Sequence, residues 1–324
     1  MLNKHLFLIK YLFSILIIND IIFMVLYMEI NYSNNSLKSK IIKILIRFSG
    51  FKKNTSSVSN TKKYIKKCNK KKIKKNIFKG MSKIKYKEYT IYTWNGSIND
   101  YKDSYLLYIH GGSFIDKPLR MQIRFVKKVA KKLNSTLIVP LYKTIPDGNS
   151  QELLMELKSI YQLLLSHNDK IYLIGDSAGG GSILSLSLEL VKEKIKNPQS
   201  IIMLSPWLDL SLSNQKISEK KDIVCSMSGN KYCGKLWADN YDITDYRVSP
   251  IYGDFECLNK IFISCGGNEI CQPDCIKFAS KLKQDKINYK FVQFNNQFHN
   301  FELYPIIESK ILINEICKYI MEED

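Results

Sequence analysis

Residues able to transfer an acyl group occur here in a telling order: a glycine pair, a serine, a carboxylate and a histidine. The serine is Ser177, inside Gly175-Asp176-Ser177-Ala178-Gly179. An apolar run, 171–174, precedes it and a helix-compatible run, 182–194, follows it. That order fits a strand, a sharp turn and a helix, with the hydroxyl held in the open at the apex. Glycines two before and two after the serine let strand and helix pass without Cβ clashes. The start of the helix offers the Ala178 N–H to a developing anion. Alone, the pentapeptide decides little, because small residues punctuate many strand-to-helix turns. Serine chemistry also needs a base, an acid and further N–H donors in compatible places.

Those partners have candidates. His110-Gly111-Gly112-Ser113-Phe114 follows an apolar strand-like run, 104–109. Its glycines, Gly111 and Gly112, can turn N–H groups towards a shared point, as an oxyanion hole requires. His299, one of four histidines, follows the run 289–294 and precedes a final helical stretch. A base that comes after nucleophile and acid belongs there. The acid should follow the run 260–264, where Glu269 and Asp274 both stand. Either could accept a hydrogen bond from the imidazole and fix its tautomer. Asp274 also suits the first turn of a helix.

Alternating elements must position these groups. Strands are expected at 88–94, 104–109, 136–140, 171–174, 200–204, 260–264 and 289–294. Helices are expected at 120–133, 151–166, 182–194, 273–283 and 305–319. Such alternation indicates a mostly parallel sheet covered on both faces, with ligands bound beyond the carboxyl ends of the strands.

The net charge of +19 suggests a nucleic-acid partner until it is located. Residues 1–87 carry 21 Lys/Arg and two acids, whereas residues 88–324 carry 28 of each sign. The larger part is charge-balanced, and no recognition motif accompanies the basic quarter, so no nucleic-acid partner is expected. Residues 6–27 are apolar and long enough to cross a bilayer, which takes about 20 residues. A membrane anchor or signal segment over 1–30 is therefore expected, with Asp20 an awkward interruption. Lysines after the stretch favour a cytosolic catalytic part, while N-x-S/T sequons at Asn31, Asn34, Asn54, Asn95 and Asn134 point to the secretory pathway. The membrane face stays open. Residues 31–87 read as a lysine-rich, partly disordered linker or partial cap, in which 41–48 (IIKILIRF) can form a short amphipathic helix over a site mouth. The eight cysteines fit no disulfide framework and lack paired C-x2-C knuckles, so no metal is expected.

Five blocks in order resemble the hormone-sensitive-lipase-like family of the α/β-hydrolase superfamily, which includes bacterial carboxylesterases, arylacetamide deacetylase-like enzymes and steryl deacetylases. They are His110–Phe114, Tyr142-Lys143-Thr144-Ile145-Pro146-Asp147, Gly175–Gly180, Ser205-Pro206-Trp207-Leu208-Asp209-Leu210 and Ser249-Pro250-Ile251-Tyr252. The resemblance implies an α/β-hydrolase fold over 88–324, with a helical cap built from the N-terminal region and an insertion near 211–248. It implies Ser177 as nucleophile, His299 as base and Glu269 as acid, with Asp274 the second choice. Gly111, Gly112 and Ala178 would hold the oxyanion. No cofactor is implied, and the partner is an ester. The competing readings are a non-catalytic ligand receptor and a lipid-binding protein on the same scaffold.

Overall fold

Among the described residues, nine strands hydrogen-bond into one sheet, and it is this sheet that brings the dispersed motifs together. The structure, a computed structural model, describes residues 27–322. The strands are β1 (Tyr27–Tyr32), β2 (Ser82–Tyr86), β3 (Tyr89–Trp94), β4 (Ser104–Ile109), β5 (Ser135–Pro140), β6 (Ile171–Asp176), β7 (Ser200–Leu204), β8 (Ile261–Gly266) and β9 (Tyr289–Phe294). Their spatial order is β1-β9-β8-β7-β6-β4-β5-β3-β2. Among the described residues, only the β2–β3 and β3–β5 pairings are antiparallel. The mostly parallel sheet expected from the alternation is present.

Helices cover both faces because the central strands are apolar on both sides. In β6, Ile171 and Leu173 join one core and Tyr172 and Ile174 the other, following the two-residue period of a strand. The first core also takes α4 (Ser150–Leu165) and α5 (Ala178–Lys192). The second takes α3 (Arg120–Lys132) and α8 (Ile307–Met321). Helix α7 (Gln272–Gln284) follows β8.

The basic quarter is more structured than a solvated linker. Besides β1 and β2 it forms α1 (Leu37–Phe48) and α2 (Val58–Asn69), each N-capped by a serine side chain, Ser36 and Ser57. Strand β1 pairs in parallel with β9, from Tyr27 opposite Tyr289 to Tyr32 opposite Phe294. The end of the expected anchor, 27–30, is thus sheet. The remainder of that stretch, 6–26, lies outside the described residues. Among the described residues, no helix is long and apolar enough to cross a membrane. The mid-chain stretch near 211–248 carries a 3-10 turn, Gln215–Glu219, and α6 (Met227–Ala238).

Candidate active site

Ser177 sits at the turn between β6 and α5 with φ 51° and ψ −120°. A non-glycine residue there is strained, and the strain persists because the surroundings over-determine it. The Ser177 N–H donates to Leu204 O at 2.8 Å, and Trp207 N donates to Ser177 O at 3.0 Å. The Ser-Pro-Trp segment thereby latches the elbow to the end of β7. The turn is also tight: a Cβ on Gly175 would come within 2.5 Å of Gly179 O.

Three loops at the carboxyl ends of β6, β8 and β9 meet at the hydroxyl. His299 Nε2 lies 2.9 Å from Ser177 Oγ, and its Nδ1 lies 2.7 Å from Glu269 Oε2. All three side chains are buried. An ionised carboxylate only accepts, so Nδ1 is the protonated nitrogen and Nε2 is left to accept from the serine. Glu269 is itself held by the Gly266 N–H, which donates to Oε1 at 2.9 Å. Burial pushes the Glu269 carboxyl up, against the pull of His299. Burial disfavours a charged His299, and the Glu269 carboxylate beside it favours one, so the imidazolium is stabilised when the serine proton arrives.

Asp274 is elsewhere. It lies in the first turn of α7, where its Oδ1 accepts from Asn214 Nδ2 at 2.9 Å. Burial pushes it up to about 6. The geometry therefore pairs Glu269, and not Asp274, with the imidazole.

The loop after β4 carries three successive left-handed residues, Gly112 at φ 124°, Ser113 at 51° and Phe114 at 59°. Phe114 stacks on Trp237 of α6 with centroids 4.2 Å apart, and its carbonyl accepts from Ile145 N at 2.8 Å. Of the expected oxyanion donors, Gly111 does not present its N–H to the pocket. That group donates to Asp176 Oδ1 at 3.1 Å. Gly111 is instead a close-packing position, where a Cβ would come within 2.8 Å of the Ser177 Cβ. Gly112 and Ser113 line the pocket beside Ser177 and His299. Among the described residues, the N–H groups of Gly112, Ser113 and Ala178 have no hydrogen-bond acceptor. Ser113 was hidden in the sequence because the turn register decides which N–H groups point at the serine.

Asp176 is the other residue whose importance the pentapeptide conceals. Its Oδ1 accepts from Tyr108 Oη at 2.5 Å as well as from Gly111, and its Oδ2 accepts from Gln122 and Asn300, both at 2.9 Å. One buried carboxylate thus ties together β4, the glycine loop, α3 and the loop that carries His299. His110 is not a second base. Burial pushes it down to about 4, and it stacks on Tyr142 with centroids 4.4 Å apart.

Beside His299 lies Glu302, buried, with neither carboxyl oxygen hydrogen-bonded. Burial pushes it up to about 8, which favours the neutral carboxyl in the folded protein. A folded pKa above the unfolded one means stability present below about 4.5 and lost as the pH rises through 8. Glu302→Gln is expected to remove that dependence. Denaturant unfolding at pH 5 and pH 8 should show the variant gaining on wild type, by up to about 1.4 kcal/mol per pH unit. A constant difference across that range would show that Glu302 is ionised in the folded protein.

The pocket above Ser177 and His299 has a volume of ≈ 610 Å³. Ile42, Leu45 and Ile46 of α1, Cys225 and Asn230 of the mid-chain segment, and Leu303 after His299 are among its walls. The cysteines are all free thiols, and only Cys257 is exposed. Among the described residues, no group of three or more His, Cys, Asp or Glu side chains could hold a metal ion.

A family model for the alpha/beta hydrolase fold matches residues 106–303, from the middle of β4 to just past His299. The chain belongs to the α/β-hydrolase fold family. The resemblance to hormone-sensitive-lipase-like carboxylesterases, read from five ordered blocks, agrees with this membership. An esterase from Acinetobacter venetianus is 27% identical over 227 residues, 68% of this chain and 75% of its own length. Esterase LipU of Mycobacterium tuberculosis is 31% identical over 230 residues, 67% of this chain and 77% of its own length. A solved structure of a putative esterase from Staphylococcus aureus superposes with a TM-score of 0.75 at 27% identity, covering 82% of this chain and 92% of that one. The family match thus spans the segment that carries Ser177, Glu269 and His299.

Proposed function

We propose that this α/β hydrolase is a serine carboxylesterase or deacetylase that cleaves small or lipidic carboxylic esters through an acyl-enzyme on Ser177. Ester hydrolysis itself follows from the family and its esterase relatives. The residue roles and the substrate class are the proposal. One observation carries it: His299 bridges Ser177 Oγ and Glu269 Oε2 at hydrogen-bonding distance on the floor of a largely apolar pocket.

In this reading His299 Nε2 takes the Ser177 proton as Oγ attacks the ester carbonyl carbon. Glu269 holds Nδ1–H and stabilises the imidazolium that forms. The oxyanion is received by the free N–H groups of Gly112, Ser113 and Ala178, the last at the start of α5. His299 then gives its proton to the departing alcohol. Water, activated by the same imidazole, attacks the acyl-Ser177 ester and releases the carboxylic acid. The positive-φ loop and the carboxylate of Asp176 keep the donors in place before substrate arrives. No step needs a metal or an organic cofactor.

The test is covalent. A fluorophosphonate should label folded wild-type protein at Ser177, located by peptide mass spectrometry, and short-acyl p-nitrophenyl esters should be hydrolysed. Labelling at another serine, or none on folded protein, removes the reading. The membrane location expected from residues 6–27 rests on the sequence and is part of the proposal. Carbonate extraction of membranes holding the full chain distinguishes an embedded anchor from release into the supernatant.

A further inference from the structure

Helix α1 turns an apolar stripe outward. Leu37, Ile41, Ile44 and Phe48 recur at spacings of four, three and four, which places them on one face. All four are exposed, Phe48 to 87% and Leu37 to 74%. The face towards the protein is the opposite one, and it is held largely by polar bonds. Ser39 Oγ donates to Gln297 Oε1 at 2.7 Å in a buried position. The capping residue Ser36 donates to Glu308 through its N–H at 2.6 Å and its hydroxyl at 2.9 Å. Ile46 is buried and Ile42 faces the pocket. The outward stripe is therefore surplus to what docks the helix, and such a contiguous apolar patch marks an interaction surface.

Its surroundings say what it meets. Lys38, Lys40, Arg47 and Lys53, all exposed, flank the stripe. Residues 27–87 contain one acid, Glu29, and that side chain accepts from Tyr289 Oη at 2.8 Å on the sheet edge. Apolar residues edged by lysines and arginine complement an anionic lipid surface. A second copy of the chain would bring the same positive charges against each other. The stripe is also continuous with the mouth of the pocket, where Leu45, Phe51 and Leu119 are at once exposed and part of the lining.

We propose that α1 is an interfacial docking helix that seats the pocket mouth on an anionic lipid surface. Leu37, Ile41, Ile44 and Phe48 enter the acyl boundary, and the flanking cations meet the headgroups. An ester dissolved in the lipid then reaches Ser177 past Leu45 and Phe51 without crossing water. The stripe is built from residues other than 6–26. It relies on the ester-hydrolase reading only for what enters the mouth.

The experiment uses the full chain with vesicles of phosphatidylcholine alone and with about a third phosphatidylglycerol. A variant carrying Leu37→Ser, Ile41→Ser, Ile44→Ser and Phe48→Ser changes only exposed side chains outside the pocket lining. Wild type is expected to bind the anionic vesicles and to be weakened by salt. The variant should bind at least about tenfold more weakly, with hydrolysis of soluble p-nitrophenyl acetate within about twofold of wild type. In Phe48→Trp, tryptophan emission should shift to the blue on vesicle addition and be quenched by brominated acyl chains. That reading locates the stripe whatever residues 6–26 do. Equal vesicle binding by wild type and the fourfold variant overturns the proposal. So does a Phe48→Trp signal that vesicles leave unmoved because another part of the chain, or a second copy, already covers the stripe. Failure of the esterase reading would appear separately, as absence of soluble-ester hydrolysis in wild type.

Discussion

Ser177→Ala is expected to lower kcat for a p-nitrophenyl ester by about 10⁴-fold or more while leaving the fold intact. That factor is about 5.5 kcal/mol of lost transition-state stabilisation. It follows from the removal of one atom. Without Oγ there is no acyl-enzyme, and what remains is an oxyanion site and a base beside unactivated water. The backbone of the elbow does not depend on the hydroxyl, since its anchors are main-chain bonds to Leu204 O and from Trp207 N. Thermal unfolding of the variant should therefore match wild type to within a few degrees. The residual rate should be insensitive to fluorophosphonate. Comparable rates for the two proteins would mean that hydrolysis occurs elsewhere, and the serine mechanism would be discarded.

The second large effect separates two carboxylates. Glu269→Gln is expected to cost about 10³–10⁴-fold in kcat, and Asp274→Asn no more than a few-fold. A glutamine at 269 can offer its NH₂ to Nδ1, which places the imidazole proton on Nε2 and aims it at Ser177. The tautomer is then wrong for taking the serine proton. The shape is preserved, so the loss reports proton placement and not packing. Asp274, bonded to Asn214 and away from the imidazole, has no such leverage. Steady-state rates for both variants decide it. The reverse ranking would transfer the acid role to Asp274 and contradict the 2.7 Å contact between His299 and Glu269.

Much of this arrangement is legible in the chain before folding. The elbow, the glycine loop, the late histidine and a carboxylate after β8 each sit where a parallel sheet delivers strand ends. Local signals are enough for these, because each motif directly follows its own strand. What the sequence conceals is set by distant partners or by turn register. Strand β1 (YMEINY) reads as the tail of an apolar stretch, since the strand it pairs with lies at the other end of the chain. Strand β2 (SKIKY) reads as linker because an edge strand carries exposed lysines that keep other chains from pairing with it. The choice of Glu269 over Asp274 is a matter of direction, with the first reaching the imidazole and the second turned towards Asn214. The replacement of Gly111 by Ser113 as a free donor depends on Asp176 claiming one N–H, a bond between residues 65 positions apart.

The pairing of β1 with β9 also sets a timetable. Tyr27 leaves the ribosome early, yet its partner Tyr289 is made 262 residues later. At about 5–20 residues per second, the edge strand waits on the order of tens of seconds for its place in the sheet. Closing so long a loop is slow compared with pairing neighbours, so this edge is among the last parts to form. His299 follows β9 directly, and α1 follows β1 directly. The base and the wall of the pocket therefore come into position together, once β9 has been made. A chain interrupted before β9 carries the serine but neither the histidine nor the strand that seats β1 and α1, and so is an inert hydrolase until β9 and the loop after it follow.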